Sequence, residues 1–218
     1  MKTVIFDMDG VLVDSEPLYA DAWIQVYKEI GIGIDHDYYF SKICGKHGLI
    51  STRMVLEEFC RHEENIDKKN LNFRKEQISA ALVKERISPM PGAVQLVSTL
   101  SAKGYKLGLA TTSLMVCASS IISHIGLDGK FRVMHAGDYV KHGKPHPEVY
   151  LITAKMLEAE PEECVVIEDS KSGMIAAKAA QMKVIGVLNG RNKREDLVIA
   201  DVVVNGLKEI TPELIESL

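Results

Sequence analysis

The stretch Thr3-Val4-Ile5-Phe6-Asp7-Met8-Asp9-Gly10-Val11-Leu12-Val13-Asp14-Ser15-Glu16 decides how the rest of the chain is read. It opens on apolar and β-branched residues without alternation, the pattern of a strand buried on both faces of a parallel sheet. The run then breaks into aspartate, methionine, aspartate and glycine, so acids stand where the strand gives out. Lys106–Ala110, Val165–Ile167 and Val184–Val187 have the same character, with a weaker candidate at Asp201–Val204. Helical patterns separate them. Pro91-Gly92 leads into Val94, Val97 and Leu100; Pro147 opens a segment with Tyr150, Ala154 and Leu157; Ser170 precedes Ile175, Ala176 and Ala179. Strands alternating with helices of this length predict right-handed βαβ units, hence an α/β fold built on a doubly wound parallel sheet.

One stretch breaks the alternation. From Glu16 to Ile87 the sequence carries helical stripes and no strand pattern: Leu18, Ala22, Val26 and Ile30, then Met54, Val55 and Phe59, then a charged helix from Lys68 to Glu85. That is far longer than the dozen or so residues a crossover needs. An inserted helical domain over residues 16–87 is expected, with the core formed by 1–15 and 88–218. Tyr19, Trp23 and Tyr27 are expected to pack inside that insert.

In an open α/β sheet, ligands gather at the carboxyl ends of the strands. Those ends here read Asp7-Met8-Asp9, Thr111-Thr112-Ser113 and Glu168-Asp169-Ser170, with Gly143-Lys144-Pro145 ahead of the Pro147 helix. Acids, hydroxyls and a lysine at one rim suit phosphoryl transfer. Carboxylates beside a phosphate dianion repel it unless a divalent cation and a lysine offset the charge. Magnesium takes oxygen ligands, usually one or two carboxylates with phosphate and water. Asp7 and Asp169 are the natural ligands, with Glu168 a further candidate. Thr111, Thr112 and Ser113 can hold phosphate oxygens as their loop enters a helix, and Lys144 can act as a point positive charge. Taken singly, Thr111 reads as a helix cap and Lys144-Pro145 as a turn.

These segments, in this order and spacing, resemble the four motifs of the haloacid dehalogenase superfamily, and the likeness extends over essentially the whole chain. The resemblance implies a Rossmann-like core with a helical cap domain inserted after the first motif. It implies Asp7 as nucleophile. It implies Asp9 as the acid that protonates the leaving alcohol, then as the base that activates water, with its backbone carbonyl on magnesium. An aspartate at position 9 argues against the dehalogenase and phosphonatase branches. The chain also resembles β-phosphoglucomutase and related sugar-phosphate phosphatases. The mutases carry a histidine and an arginine where Tyr19 and Gly48 stand here. A phosphatase acting on a small phosphorylated metabolite, a sugar or polyol phosphate, is therefore favoured over a mutase. The alternative of another class is a receiver-like phospho-acceptor domain, which also uses aspartyl-phosphate and magnesium; the insert and Asp9 oppose it.

The formal net charge of −4, with 46% hydrophobic and 26% charged residues, gives no electrostatic footprint for nucleic acid or an anionic membrane. No apolar run approaches the roughly 20 residues that span a bilayer, and the opening residues show no signal-peptide pattern. Cys44, Cys60, Cys117 and Cys164 form no Cys-x-x-Cys pair, so buried free thiols in a reducing cytoplasm are expected. A monomer is expected from the resemblance. His135, His142 and His146 read as loop or surface residues, and Gly190-Arg191-Asn192-Lys193-Arg194 as a solvated loop. Arg74, Lys75, Lys46 and His47 are the charged candidates for a second polar part of the substrate, and all also suit a solvated surface.

Overall fold

A computed structural model describes residues 2–44, 48–60 and 66–218. Its contacts divide the chain into two compact units, Met1–Asp14 with Ser88–Leu218, and Ser15–Ile87. In chain order, β1 (Thr3–Phe6) is followed by α1 (Glu16–Glu29), then a single turn α2 (His36–Tyr38) that runs into a π-helical turn at Tyr39–Ile43. Next come α3 (Gly48–Phe59) and α4 (Lys68–Arg86). The first unit resumes with α5 (Ala93–Ala102), β2 (Lys106–Ala110), α6 (Met115–His124), β3 (Val133–His135) and α7 (Glu148–Met156). It finishes with β4 (Cys164–Glu168), α8 (Lys171–Ala179), β5 (Lys183–Val187), β6 (Val202–Val204) and α9 (Pro212–Glu216).

The six strands are parallel in the order β3-β2-β1-β4-β5-β6. From β1 the chain steps outward on one side and from β4 on the other, so the crevice between their carboxyl ends is the switch point where ligands bind in such sheets. Phe6 stands opposite both Leu109 and Ile167, which brings the ends of the three central strands level. Val4, Ile5, Phe6, Val166 and Ile167 are completely buried, as continuous apolar runs require when helices cover both faces. Sequence reading missed β3: three residues, one of them histidine, give too short a run to register. His135 is accordingly not a surface residue. It ends β3, only 6% exposed, and its carbonyl accepts from Thr111 N.

The second unit is helical throughout its described residues. Trp23 and Tyr27 stack at 5.2 Å in a buried cluster with Val26, Tyr39, Val55, Leu56 and Leu71. Asp67 starts α4 by accepting from Lys69 N and Asn70 N, a cap of the usual acidic kind. Though its sequence is largely polar, α4 packs on α1 by burying Leu71, Ile78 and Val83. Among the described residues no helix is long and apolar enough to cross a membrane. Of the four free thiols only Cys164 is buried; the others are half-buried.

Candidate active site

Four strand ends build the site. Past Phe6, Asp7 N still donates to Ile167 O at 3.0 Å, so Asp7 keeps the strand's direction and lies buried beside β4. The chain then doubles back: Leu12 N and Val13 N both donate to Met8 O, and Gly10 N donates to Val13 O. Gly10 sits at φ +81°, and a Cβ there would come within 2.3 Å of an Asp169 carboxylate oxygen. Only glycine fits that turn.

Lys144 reaches in from the loop before α7. Its Nζ donates to Asp7 Oδ1 at 2.5 Å and to Glu168 Oε1 at 2.7 Å, and lies 4.9 Å from the Tyr150 ring centre. Glu168, the last residue of β4, is fully engaged. Oε1 also accepts from Tyr150 OH, while Oε2 accepts from Asp169 N, Ser170 N and Ser170 Oγ. Ser170 in turn caps α8 by accepting from Gly173 N. A Cβ at Gly173 would lie 1.6 Å from Glu168 Oε1, so glycine is required for the close approach.

Carboxylate oxygens of Asp7, Glu168 and Asp169 lie within 4.8 Å of one another. Three acids thus face one buried ammonium, and the protonation equilibria register the imbalance. Burial works to raise Glu168, but Lys144 and the hydrogen bonds from Ser170 and Tyr150 outweigh it and hold the carboxyl below its ordinary value. Burial pushes Asp7 up to about 7 against the opposing pull of Lys144. Asp169 is driven well above the usual carboxylate range by burial and by the charges of Glu168 and Asp7. Lys144 stays firmly protonated, because Asp7 and Glu168 overcome the cost of its burial.

On the β2 side, Ser113 Oγ donates to Asp9 Oδ2 at 2.9 Å, bringing the second aspartate and the hydroxyl loop together. Thr111 is buried, and its Oγ1 accepts from Ser113 N at 3.0 Å. It does not cap α6, whose N-cap is Leu114; the hydroxyl instead closes a turn within its own loop. Thr112 is exposed.

The loop after β5 is exposed at Gly190, Arg191, Lys193 and Arg194, as a solvated loop should be, but Asn189 and Asn192 are half-buried and bonded inward. Asn189 Nδ2 donates to Asp169 Oδ2 and Gly10 O, Asn192 Nδ2 donates to Asp169 O and Val187 O, and Arg191 pairs with Asp14. The rule that pointed to Asp7 and Glu168, reading past each strand end, would have found Asn189 had it been applied to β5. Arg74 is exposed and paired with Glu29, and Lys75 Nζ lies over the Tyr19 and Trp23 rings at 4.9 and 5.7 Å. Lys46 and His47 lie outside the described residues.

A parallel sheet of this order, with acids and a lysine at its switch point, has the charge and placement that phosphate chemistry uses. The chain belongs to the haloacid dehalogenase-like hydrolases, whose family model matches residues 4–187. It is 36% identical over 224 residues to a phosphorylated carbohydrates phosphatase of Thermotoga maritima, covering 96% of this chain and 100% of that one. It is 32% identical over 209 residues to hexitol phosphatase B of Escherichia coli, covering 95% and 93%. The crystal structure of a β-phosphoglucomutase from Clostridium difficile superposes with a TM-score of 0.81 at 27% identity, covering 100% of this chain and 96% of that one. Family membership sets aside the receiver-like alternative.

Proposed function

We propose that the chain is a magnesium-dependent phosphatase of small phosphorylated sugars or polyols, working through an aspartyl-phosphate on Asp7. The observation that carries the proposal is the rim of carboxylates, Asp7 and Glu168 buried and Asp169 half-buried, facing the ammonium of Lys144. An all-oxygen donor set with surplus negative charge fits magnesium, and the raised Asp169 carboxyl marks where positive charge is lacking. Asp7, Asp169 and the Asp9 backbone carbonyl would hold the ion, with Glu168 beside them. When bound, magnesium offsets the charge of the acids and of the phosphate.

The chain's own residues do the rest. A carboxylate oxygen of Asp7 attacks phosphorus, forming an O–P bond as the ester O–P bond breaks. Asp9 gives its proton to the departing alkoxide. It then takes a proton from water, whose oxygen attacks phosphorus and breaks the bond to Asp7, returning both residues to their first state. Lys144 holds the Asp7 carboxylate in place and offsets the phosphate charge. Thr111 donates to a phosphate oxygen, and Ser113 does so when its single hydroxyl proton turns from Asp9. The bond from Ser113 fixes the Asp9 side chain between transfers.

Hydrolysis is favoured over mutation at position 48 as well as 19. A Cβ on Gly48 would meet Asn72 Oδ1, so a larger residue there would require the Asn72 side chain to move. The test is phosphate release from a panel of sugar and polyol phosphates, with magnesium and with EDTA. Turnover that needs magnesium supports the reading. Turnover untouched by EDTA contradicts it, and efficient interconversion of glucose 1- and 6-phosphate in the presence of a bisphosphate would replace it with a mutase.

A further inference from the structure

We infer that Asn189 and Asn192 are positioning residues of the cation site, setting how Asp169 presents its carboxylate. This rests on the reading of Asp169 as a metal ligand.

Asn189 contributes one side chain with two separate duties. Its Oδ1 accepts from Arg191 N at 3.0 Å and Asn192 N at 3.2 Å, closing the loop on itself. Its Nδ2 faces the other way, donating at 2.8 Å to Asp169 Oδ2 and at 3.2 Å to Gly10 O. The amide thereby ties the turn after β1 to the acid after β4. Asn192 completes the tie from the same loop: its Nδ2 donates at 2.8 Å to both Asp169 O and Val187 O, and its Oδ1 accepts from Asn189 N. The Asp169 side chain and backbone are therefore each gripped by a neutral amide.

Neutral donors suit this place. Lys144 already offsets charge at Asp7 and Glu168, and a second cation on Asp169 would cancel more of the negative charge that attracts the ion. An amide N–H occupies one lone pair of Oδ2, fixes the torsion and leaves the charge intact. Space is equally tight. A Cβ at Gly10 would meet Asp169 Oδ2 at 2.3 Å and Asn189 Nδ2 at 3.0 Å, so the turn, the acid and the amide are packed as one body. Freed from that grip, the Asp169 carboxyl can rotate away from Asp7 and Glu168 to relieve their repulsion, and the ion must pull it back.

The test is direct titration of purified protein with magnesium by calorimetry, without substrate, alongside the magnesium dependence of phosphate release. Asn189→Ala is expected to weaken magnesium binding by about tenfold or more. It should raise the magnesium concentration for half-maximal rate equally, while kcat at saturating magnesium stays within about threefold. Asn192→Ala should move both quantities in the same direction by less. Arg191→Ala breaks the loop's other tether, to Asp14, and should leave magnesium affinity nearly unchanged. Equal affinity in wild type and Asn189→Ala overturns the inference, as does an equal loss in Arg191→Ala, which would assign the effect to loop order rather than to the amide. If wild type itself binds no magnesium, the proposed function falls instead.

Discussion

The strand-end rim and the helical unit use charge in opposite ways. In the helical unit, charges meet in exposed pairs: Arg74 with Glu29, and Arg86 with Asp21. The acid of greatest interest there, Glu16, is met by neutral donors, Tyr39 OH and Cys44 Sγ. At the rim, Asp7, Glu168 and Asp169 crowd around Lys144, the one ammonium paired with them among the described residues, with Lys144 and Glu168 almost wholly buried. Balanced, solvated pairs contribute little and ask for nothing more. A buried surplus of one sign raises the energy of the folded chain, and it persists where a ligand of opposite sign relieves it. The contrast separates charge that solvates from charge that works.

Removing Lys144 strikes this contrast hardest. Lys144→Met leaves the rim acids without the ammonium that pairs with Asp7 and Glu168. We expect activity to fall by at least about 100-fold and stability by about 3–5 kcal/mol in metal-free buffer, with magnesium restoring part of the melting temperature. A melting temperature equal to wild type in EDTA would mean that the acids are not in conflict. Next comes Asp9→Asn, where turnover should drop by about 10²–10⁴-fold with little change in melting temperature. Near-normal turnover would remove Asp9 from proton transfer.

Gly173→Ala tests the packing beneath the charges. The new methyl collides with Glu168 Oε1, the atom that also accepts from Lys144 and Tyr150. The cost should be about 1–3 kcal/mol, read as a melting temperature lower by several degrees; an unchanged value would show that β4 and α8 can separate freely. A smaller effect concerns His135. Burial, against the opposing charges of Glu148 and Asp138, holds its imidazole below its ordinary value. Its Nε2 is buried with no hydrogen-bond partner among the described residues. The folded chain thus prefers neutral His135, while the unfolded chain takes a proton near pH 6.5. The stability this histidine contributes is complete above about pH 6.5 and is lost as pH falls toward its lowered native value. Melting temperatures measured from pH 7 down to pH 5 should decline more steeply in wild type than in His135→Phe; parallel curves would contradict this. The smallest effect is expected on the other side of the comparison, where Arg74→Ala should leave both turnover and melting temperature within error.

Legibility followed the range of the interactions. The central strands announce themselves because burial on both faces forces unbroken apolar runs, and their acids are conspicuous directly after them. Val133–His135 does not, since an edge strand of three residues needs no such run. Thr111 has the composition of a cap, yet its hydroxyl turns back to Ser113 N; a local motif cannot say which nearby donor wins. Asn189 and Asn192 look like loop solvation because their partners are distant in the chain, Gly10 standing 179 positions from Asn189. Only the register of β1, β4 and β5 brings them together.

Where the phosphoryl group rests between the two displacements can be measured directly. Rapid acid quenching during turnover of a sugar phosphate, followed by peptide mass spectrometry, should find phosphate on the peptide that carries Asp7. It should be enriched in Asp9→Asn, where release is slowed, and absent in Asp7→Asn. Phosphate trapped on any other residue, or hydrolysis that persists at the wild-type rate in Asp7→Asn, would contradict it.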